Sequence, residues 1–221
     1  MHEISIKADV LSDNEHAAHH NREHFVGHGV YVVNLMSGPG AGKTTLLERT
    51  LERLQGRYRL GVIEGDVQTR RDADRIARHE VPVVQINTGH ACHLDARMIH
   101  RNLGAFDLDH LDALVIENVG NLVCPAEFDL GEHDKVMLLS VTEGDDKPAK
   151  YPVMFHVARA MVVTKIDLLP YTDFSVERSV KDARALNLDL EVFPLSARSG
   201  DGMDAWLAWL EGRIAKVKGR P

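Results

Sequence analysis

Apolar runs alternate with amphipathic stretches along most of this chain. The first run begins at Val30 and leads through a glycine-rich turn into a helical pattern over residues 46–54. Later apolar runs predict strands at 60–63, 81–86, 113–119, 136–141, 160–163 and 190–193, and helical patterns lie near 70–79, 93–104, 175–187 and 203–217. This alternation predicts an α/β fold of three layers, with a mostly parallel sheet of about seven strands.

The residues before this alternation, 1–28, are expected to form an N-terminal accessory segment, followed by the main domain over 29–221. Ser12 and Glu15 have the spacing of a capping box, which predicts a helix of about three turns. His16, His20 and His24 would share one face of that helix. Histidines at i, i+4 can hold a divalent metal, although a solvated polar face accounts for the same spacing.

Composition and charge limit which binding partners and which cellular compartment are expected. The 26 Lys and Arg residues against 33 Asp and Glu residues give a net charge of −7, without a basic block, so no nucleic acid is expected as a partner. No apolar run approaches the roughly 20 residues that cross a bilayer, and the N-terminus lacks a signal-peptide pattern. We therefore expect a cytoplasmic protein with no membrane partner, whose two cysteines are reduced.

The glycine-rich turn has the order of a phosphate-binding loop. Residues 37–45 read Ser-Gly-Pro-Gly-Ala-Gly-Lys-Thr-Thr, so the first glycine arrives one residue late, after Ser37. Such glycines let backbone N–H groups approach phosphate oxygens, and the following helix N-terminus adds donors. Lys43 is expected at the β- and γ-phosphates and Thr44 at Mg²⁺. The predicted nucleotide contacts here are Gly38, Gly40, Ala41, Gly42, Lys43, Thr44 and Thr45.

Two further strand ends carry residues suited to nucleoside-triphosphate hydrolysis. Asp66 follows the second strand, where it could hold Mg²⁺ beside Thr44. Asp72 could orient the attacking water or simply begin a helix. Glu117 and Gly120 form an E-x-x-G sequence, in which the Gly120 N–H is suited to sense the γ-phosphate. The predicted catalytic residues are Lys43, Asp72, Glu117 and Gly120. No arginine is obviously placed as a finger at the phosphates within one chain.

Residues 164–167, Thr-Lys-Ile-Asp, indicate which base is bound. The Asp167 carboxylate can accept hydrogen bonds from guanine N1–H and N2–H₂, whereas adenine would leave it unpaired, a loss that discriminates by about 10⁴–10⁵. Lys165 would lie along the base and Thr164 stands where asparagine is more usual. Ser196 and Ala197 follow a later strand and can offer a backbone N–H to guanine O6. GTP is therefore predicted over ATP.

The only two cysteines lie at positions that favour a metal site. A free cysteine is usually a small buried hydrophobe, but Cys92 stands beside His93 and Cys124 follows Gly120 by four residues. Thiolate and imidazole together suit Zn²⁺, Ni²⁺ or copper. Three ligands leave such a site incomplete, and a two-fold dimer could complete it. His100 is a weaker candidate ligand.

With these residues in place, the chain resembles the HypB family, the nickel-delivery GTPases of [NiFe]-hydrogenase maturation. The resemblance runs from about Asn34 onward and is most specific over residues 37–47, 64–66, 88–96, 117–125, 142–152 and 164–168. It implies a P-loop GTPase fold, slow GTP hydrolysis, a GTP-favoured homodimer, and a nickel or zinc site at Cys92, His93 and Cys124. It also implies a hydrogenase large subunit and a companion nickel-maturation protein as partners.

The chain departs from some family members in its histidines and cysteines. It has neither an N-terminal C-x-x-C-G-C motif nor a long histidine tract, and Arg97 and Arg101 stand where some members carry further metal-binding histidines. A transfer role is therefore better supported than nickel storage. The competing readings are a urease-type nickel accessory GTPase, a P-loop small-molecule kinase and a passive metal-binding protein. Lys147 and Lys150, in a Pro-flanked loop, either contact a partner subunit or its nucleotide, or are simply solvated.

Overall fold

A seven-stranded sheet forms the middle layer of the computed structural model, which describes residues 6–66, 71–89 and 91–219. The strands are β1 Tyr31–Ser37, β2 Leu60–Asp66, β3 Val83–Asn87, β4 Ala113–Glu117, β5 Asp134–Ser140, β6 Ala160–Thr164 and β7 Glu191–Pro194. Their order is β3-β2-β4-β1-β5-β6-β7, and every neighbouring pair is parallel. The predicted α/β fold with a sheet of about seven strands is confirmed.

Helices connect the strands and cover both faces of the sheet. They are α1 Ile6–Gly27, α2 Lys43–Leu54, α3 Arg71–Ile76, α4 Ala96–Asn102, α5 Cys124–Glu127, α6 Lys147–Lys150, α7 Pro152–Val157, α8 Val176–Leu186 and α9 Met203–Val217. Short 3₁₀ helices follow at Ala77–His79, Leu103–Ala105, Leu108–His110 and Ile166–Tyr171. None of the helices in the described residues combines the length and the hydrophobicity needed to cross a bilayer.

Strand residues alternate between two apolar layers. Val33 and Leu35 of β1 face the layer of α2 and α9, where Trp206 is fully buried. Val32 faces the opposite layer, which contains Phe25 of α1 and residues of α4. Because both faces are covered, the central strands read as continuous apolar runs rather than as polar–apolar alternation.

The N-terminal helix is longer than expected and belongs to the second apolar layer. It begins at Ile6, so the predicted capping box at Ser12 is wrong, because residues 6–11 themselves continue the helix. The Asn21 side chain donates hydrogen bonds to the carbonyl oxygens of Ala96 (2.8 Å) and Leu130 (3.0 Å), which join α1 to the domain. The division of the chain at residue 28 stays a prediction.

Candidate nucleotide and metal site

A cavity of about 450 Å³ lies at the carboxyl ends of β1, β2 and β4. This is the edge at which ligands bind in open parallel sheets. The predicted phosphate, magnesium and catalytic residues that line it are Gly40, Gly42, Lys43, Thr44, Thr45, Asp66, Asp72, Glu117 and Gly120. Gly38 and Ala41 lie within the same loop but do not line the cavity.

The loop between β1 and α2 has the backbone that its glycines allow. Gly40 (φ +74°) and Gly42 (φ +100°) lie in the left-handed region that favours glycine. The Lys43 ammonium donates to Ser37 Oγ (3.0 Å), and that hydroxyl donates to the Gly38 carbonyl (2.6 Å). Ser37, at the position where the usual motif has glycine, therefore holds the lysine head at the loop.

Two glutamates meet beneath the phosphate loop. Thr44 Oγ1 donates to Glu117 Oε1 (2.8 Å), and Glu117 of β4 stands in register with Glu64 of β2. Burial, and then the neighbouring Glu117 carboxylate, raise the pKa of Glu64 to about 10. Burial also raises the pKa of Glu117, against the opposing charge of Lys43. The pair therefore retains a proton at neutral pH, because two adjacent buried carboxylates cannot both ionise.

The residues around this pair fit a magnesium ion. Glu64 Oε1 and Glu117 Oε2 are buried and have no hydrogen-bond partner within the described parts of the chain. They lie beside the Thr44 hydroxyl and the wall formed by Asp66, and hard oxygen atoms of this kind are the ligands that Mg²⁺ takes. Glu64 was not predicted, although it directly precedes the Gly-Asp pair that ends β2.

Arg75 is an arginine at the predicted phosphate site that the sequence did not indicate. It lines the cavity, one turn beyond Asp72 on α3. Its guanidinium donates to both Glu48 carboxylate oxygens (2.6 and 3.0 Å), to Asp72 (3.2 Å) and to Thr45 Oγ1 (3.3 Å). Sequence reasoning missed it because the packing of α3 against α2 has no local signature. Asp72 is thus oriented by Arg75.

An adjoining cavity of about 330 Å³ is lined by the residues predicted to bind the base. These are Thr164, Lys165, Asp167, Ser196 and Ala197, and the cavity shares Gly42, Thr45 and Lys165 with the first. Thr164 Oγ1 donates to the Ala41 carbonyl (2.6 Å) and the Lys165 ammonium donates to the Gly40 carbonyl (2.7 Å). These bonds fix the end of β6 to the phosphate loop, so the two cavities keep their relative position.

The structure brings Cys92, His93 and Cys124 together. One ligand atom from each lies within 4.8 Å of the others, with 2.9 Å between the two sulfurs. The His93 ring stacks on Phe128 (3.8 Å between centroids), and burial lowers the pKa of His93, which favours the neutral form that binds metals. The hydrogen bond between the thiols, and then burial, raise the pKa of Cys124. A metal ion bound here would displace the shared proton.

Local hydrogen bonds form the turn that carries Cys124. His100 does not belong to the Cys92/His93/Cys124 cluster. Asn121 Oδ1 accepts from the backbone N–H groups of Val123 (2.7 Å) and Cys124 (3.3 Å), which forms the turn that begins α5. His100 instead contacts Asn21 of α1 (3.1 Å). The predicted dimer contribution to the metal site stays a prediction.

Asn118 connects the metal-ligand turn to the nucleotide cavity. Its Oδ1 accepts from the backbone N–H of Leu94 (3.1 Å), the residue after His93, and from its neighbour Val119 (3.0 Å). Leu94 is fully buried against Gly65, where a Cβ would lie 2.8 Å from its side chain. Both Gly65 and Asn118 line the phosphate cavity, so the two sites share a wall.

Comparison with known proteins gives a consistent result. Residues 31–194 match the family model described as CobW/HypB/UreG, nucleotide-binding domain. The hydrogenase maturation factor HypB of Azotobacter vinelandii is 55% identical over 208 residues, which are 94% of this chain and 69% of that protein.

Two solved structures are similar over nearly the whole chain. HypB from Helicobacter pylori in complex with nickel has a TM-score of 0.86 at 39% identity, covering 92% of this chain and 96% of that one. HypB from Archaeoglobus fulgidus has a TM-score of 0.87 at 40% identity, covering 92% and 100%. The prediction of a P-loop GTPase fold is confirmed with them. The chain belongs to the HypB family of hydrogenase maturation factors.

Proposed function

We propose that this protein is a GTP-hydrolysing metallochaperone that delivers nickel during [NiFe]-hydrogenase maturation. Family membership supports the pathway, and the nickel named in the Helicobacter pylori structure supports the cargo. The observation that carries the proposal is the hydrogen bond from Leu94 N–H to Asn118, because it joins the Cys/His cluster to the wall of the nucleotide cavity. The bound nucleotide and the bound metal would then both depend on the position of one structural element.

In the nucleotide reaction, GTP is hydrolysed to GDP and phosphate. Lys43 leaves Ser37 to contact the β- and γ-phosphates, and Asp167 selects guanine. Mg²⁺, held by Thr44 and Asp66 with Glu117 beside them, would supply charge neutralisation at the phosphates. Asp72, oriented by Arg75, positions the attacking water. The Gly120 N–H contacts the γ-phosphate.

Gly120 explains how phosphate loss reaches the metal ligands. A Cβ at Gly120 would lie 2.9 Å from Pro39 Cα, so the backbone here touches the phosphate loop. Asn121 and Cys124 follow directly, with Asn121 forming the turn that carries the cysteine. Departure of the γ-phosphate would release Gly120, and the segment that ends in Cys124 would move relative to Cys92 and His93.

The cargo is Ni²⁺, with Zn²⁺ as a competitor for the same donors, since two thiolates and an imidazole suit both ions. Three ligands per chain leave a coordination position that a second copy fills in a GTP-favoured homodimer. The hydrogenase large subunit and a companion nickel-maturation protein would give or receive the ion. All of this would occur in the cytoplasm.

Lys147 and Lys150 are candidates for contacts across that dimer. They lie on the short helix α6 rather than in the expected loop, and Lys150 pairs with Asp146 (2.5 Å). Removing both charges should weaken GTP-dependent dimerisation, measured by sedimentation. Unchanged dimerisation would leave these lysines as a solvated face.

The deciding experiment measures Ni²⁺ affinity in the GDP state and in the state with a non-hydrolysable GTP analogue. A difference of about 5–150-fold is expected, the usual range of allosteric coupling. Cys124→Ala should lower the affinity and remove the nucleotide dependence while GTP still binds. His156→Ala, an exposed histidine on α7, is the matched control. Equal wild-type affinities in the two states would overturn the proposal.

A further inference from the structure

A second group of histidines lies where α1 packs against α4. The ring centroid of His100, on the last turn of α4, lies 5.9 Å from that of His24 and 6.4 Å from that of His20. His20 and His24 stand one turn apart on α1, so both rings face the same neighbour. None of the three belongs to the nucleotide cavity or to the Cys92/His93/Cys124 cluster.

The hydrogen bonds of Asn21 determine which nitrogen of His100 carries a proton. Asn21 is fully buried, and its amide nitrogen donates to two backbone carbonyl groups, those of Ala96 and Leu130. Both amide hydrogens are thereby used, so the oxygen must be the atom that faces His100 Nδ1, at 3.1 Å. An amide oxygen only accepts, so Nδ1 of His100 must donate.

This arrangement leaves Nε2 of neutral His100 with its lone pair exposed. Metal-binding histidines commonly donate their other ring N–H to a fixed acceptor, which sets the tautomer and the ring orientation. Asn21 supplies that acceptor from the core of the protein, so the His100 ring is held in one orientation instead of rotating freely at the surface. A solvated polar face would not need a buried side chain behind it.

The ring separations are within reach of one shared ion. With metal–nitrogen bonds of about 2.1 Å, the centroids of two imidazoles on one ion lie at most roughly 6.5 Å apart. His20 and His24 are exposed, so small rotations of their side chains can bring the rings closer. A carboxylate oxygen of Glu23 lies 3.7 Å from His20 Nδ1, a placement that favours Nε2 of His20 as its ligand atom.

We propose that His20, His24 and His100 form a second site for a divalent cation of the Ni²⁺ or Zn²⁺ class. Imidazole nitrogen is a donor that these ions accept well, whereas Mg²⁺ prefers oxygen. Among the described residues, ligand atoms are already within 4.8 Å of one another only at Cys92, His93 and Cys124. The histidine site is therefore open before binding and closes when the two α1 side chains rotate. It goes beyond the proposed function, because it needs neither nucleotide nor thiolate.

The experiment uses the full chain carrying Cys92→Ser and Cys124→Ser, titrated calorimetrically with Ni²⁺ alone. One ion per chain is expected to remain. His100→Ala in this background should weaken that binding at least about 10-fold, since loss of a ligand should cost no less than loss of an outer-shell partner. His19→Ala is the matched control, an exposed histidine on α1 that faces Glu23, and it should leave the affinity unchanged. Equal effects of the two variants, or no Ni²⁺ binding at all, would overturn the proposal.

A second measurement does not depend on the affinity. Nitrogen-15 NMR of the metal-free protein should show neutral His100 protonated at Nδ1, and Zn²⁺ should shift the Nε2 resonances of His20, His24 and His100 together. A neutral His100 protonated at Nε2 would contradict the argument from Asn21. Both measurements use the chain with Cys92→Ser and Cys124→Ser, so neither result depends on whether the Cys/His cluster carries nickel.

Discussion

The nucleotide cavity and the Cys92/His93/Cys124 cluster are built in opposite ways. In the cavity, buried side chains are already paired with one another: Lys43 with Ser37, and Thr44 with Glu117. In the cluster, Cys92 is exposed and Cys124 half-buried, and all three ligands stand on turns or at the start of a short helix. The first site is fixed by strand ends and the start of α2, whereas the geometry of the second can follow a change in its turns.

This difference suits the two sites to different parts of the proposed mechanism. A rigid cavity would distinguish GTP from GDP by contacts at a few positions, and a ligand changes an equilibrium only through differential contacts with its states. The cluster is the part whose atoms can respond. Asn118 is the contact between them. Substitutions in the cavity should therefore reduce nucleotide specificity or the hydrolysis rate, whereas substitution of Asn118 should reduce the dependence of metal affinity on the bound nucleotide.

The largest effect is expected at the base. Asp167→Asn replaces an acceptor carboxylate by an amide, which suits xanthine better than guanine. The preference for GTP over xanthosine triphosphate should fall by up to about 10⁴-fold, because a site built for particular hydrogen bonds rejects a ligand that leaves them unpaired. Competition binding measures this, with Asp173→Asn as the control. An unchanged preference would show that the base assignment is wrong.

A smaller loss is expected at the phosphates. Lys43→Ala removes the buried ammonium beside Ser37 and should lower the GTP hydrolysis rate by at least about 10²–10³, the cost of losing one oriented charge or donor at a reacting centre. Steady-state phosphate release is the measurement, and Lys181→Ala on α8 is the control. Ni²⁺ binding to the nucleotide-free protein should remain. Loss of both activities together would mean that the two sites are not separately built.

Asn118→Ala tests the contact between the sites. It leaves the N–H groups of Leu94 and Val119 unpaired, so about 1–3 kcal/mol of stability should be lost. The ratio of Ni²⁺ affinities between the GTP-analogue and GDP states should fall towards one. Asn34→Ala is the matched control, because it removes the partner of the Asn118 amide group but keeps the bond to Leu94. If both variants retain the wild-type ratio, the coupling takes another route.

The phosphate loop could be predicted because all its parts are contiguous in sequence. Strand, glycines, Lys43 and helix lie within residues 31–54, so no tertiary information was needed. Cys92 and Cys124 are separated by 32 positions, and the sheet order places β2 between the strands that precede them. Residue chemistry and the family resemblance predicted one metal site at Cys92, His93 and Cys124, but the 2.9 Å separation of the two sulfurs required the fold.

Other features had weaker or no local signals. Arg75 reaches the phosphate cavity through the packing of α3 on α2, which hydrophobic periodicity does not describe. The helical turns α5, α6 and α7 were missed, although Pro125, Pro148 and Pro152 stand in their first turns, where proline is favoured. Val119 was assigned to β4, but the strand ends at Glu117, and the Val119 N–H donates to the Asn118 side chain.

The last predicted effect, on stability rather than on binding or rate, concerns the proton shared by Glu64 and Glu117. The pKa of Glu64 is raised from 4.5 to about 10, so between these values the folded protein holds a proton that the unfolded chain has lost. The pair's contribution to the free energy of unfolding should therefore fall as pH rises through that window, by at most about 1.4 kcal/mol per pH unit. Glu64→Gln should flatten this dependence, measured by urea unfolding, and Glu177→Gln on α8 should not.

The same proton should be released into solution when the magnesium–nucleotide complex binds. A divalent cation beside Glu117 favours the ionised pair, so binding should release up to about one proton and should strengthen as pH rises. Calorimetry in two buffers of different ionisation enthalpy counts the released protons. Wild type should release more than Glu64→Gln, in which the amide cannot hold a titrating proton. Equal proton release from the two proteins would mean that the Glu64/Glu117 pair ionises independently of the ligand. The charge of the phosphate cavity would then vary even though its hydrogen bonds hold the side chains in place.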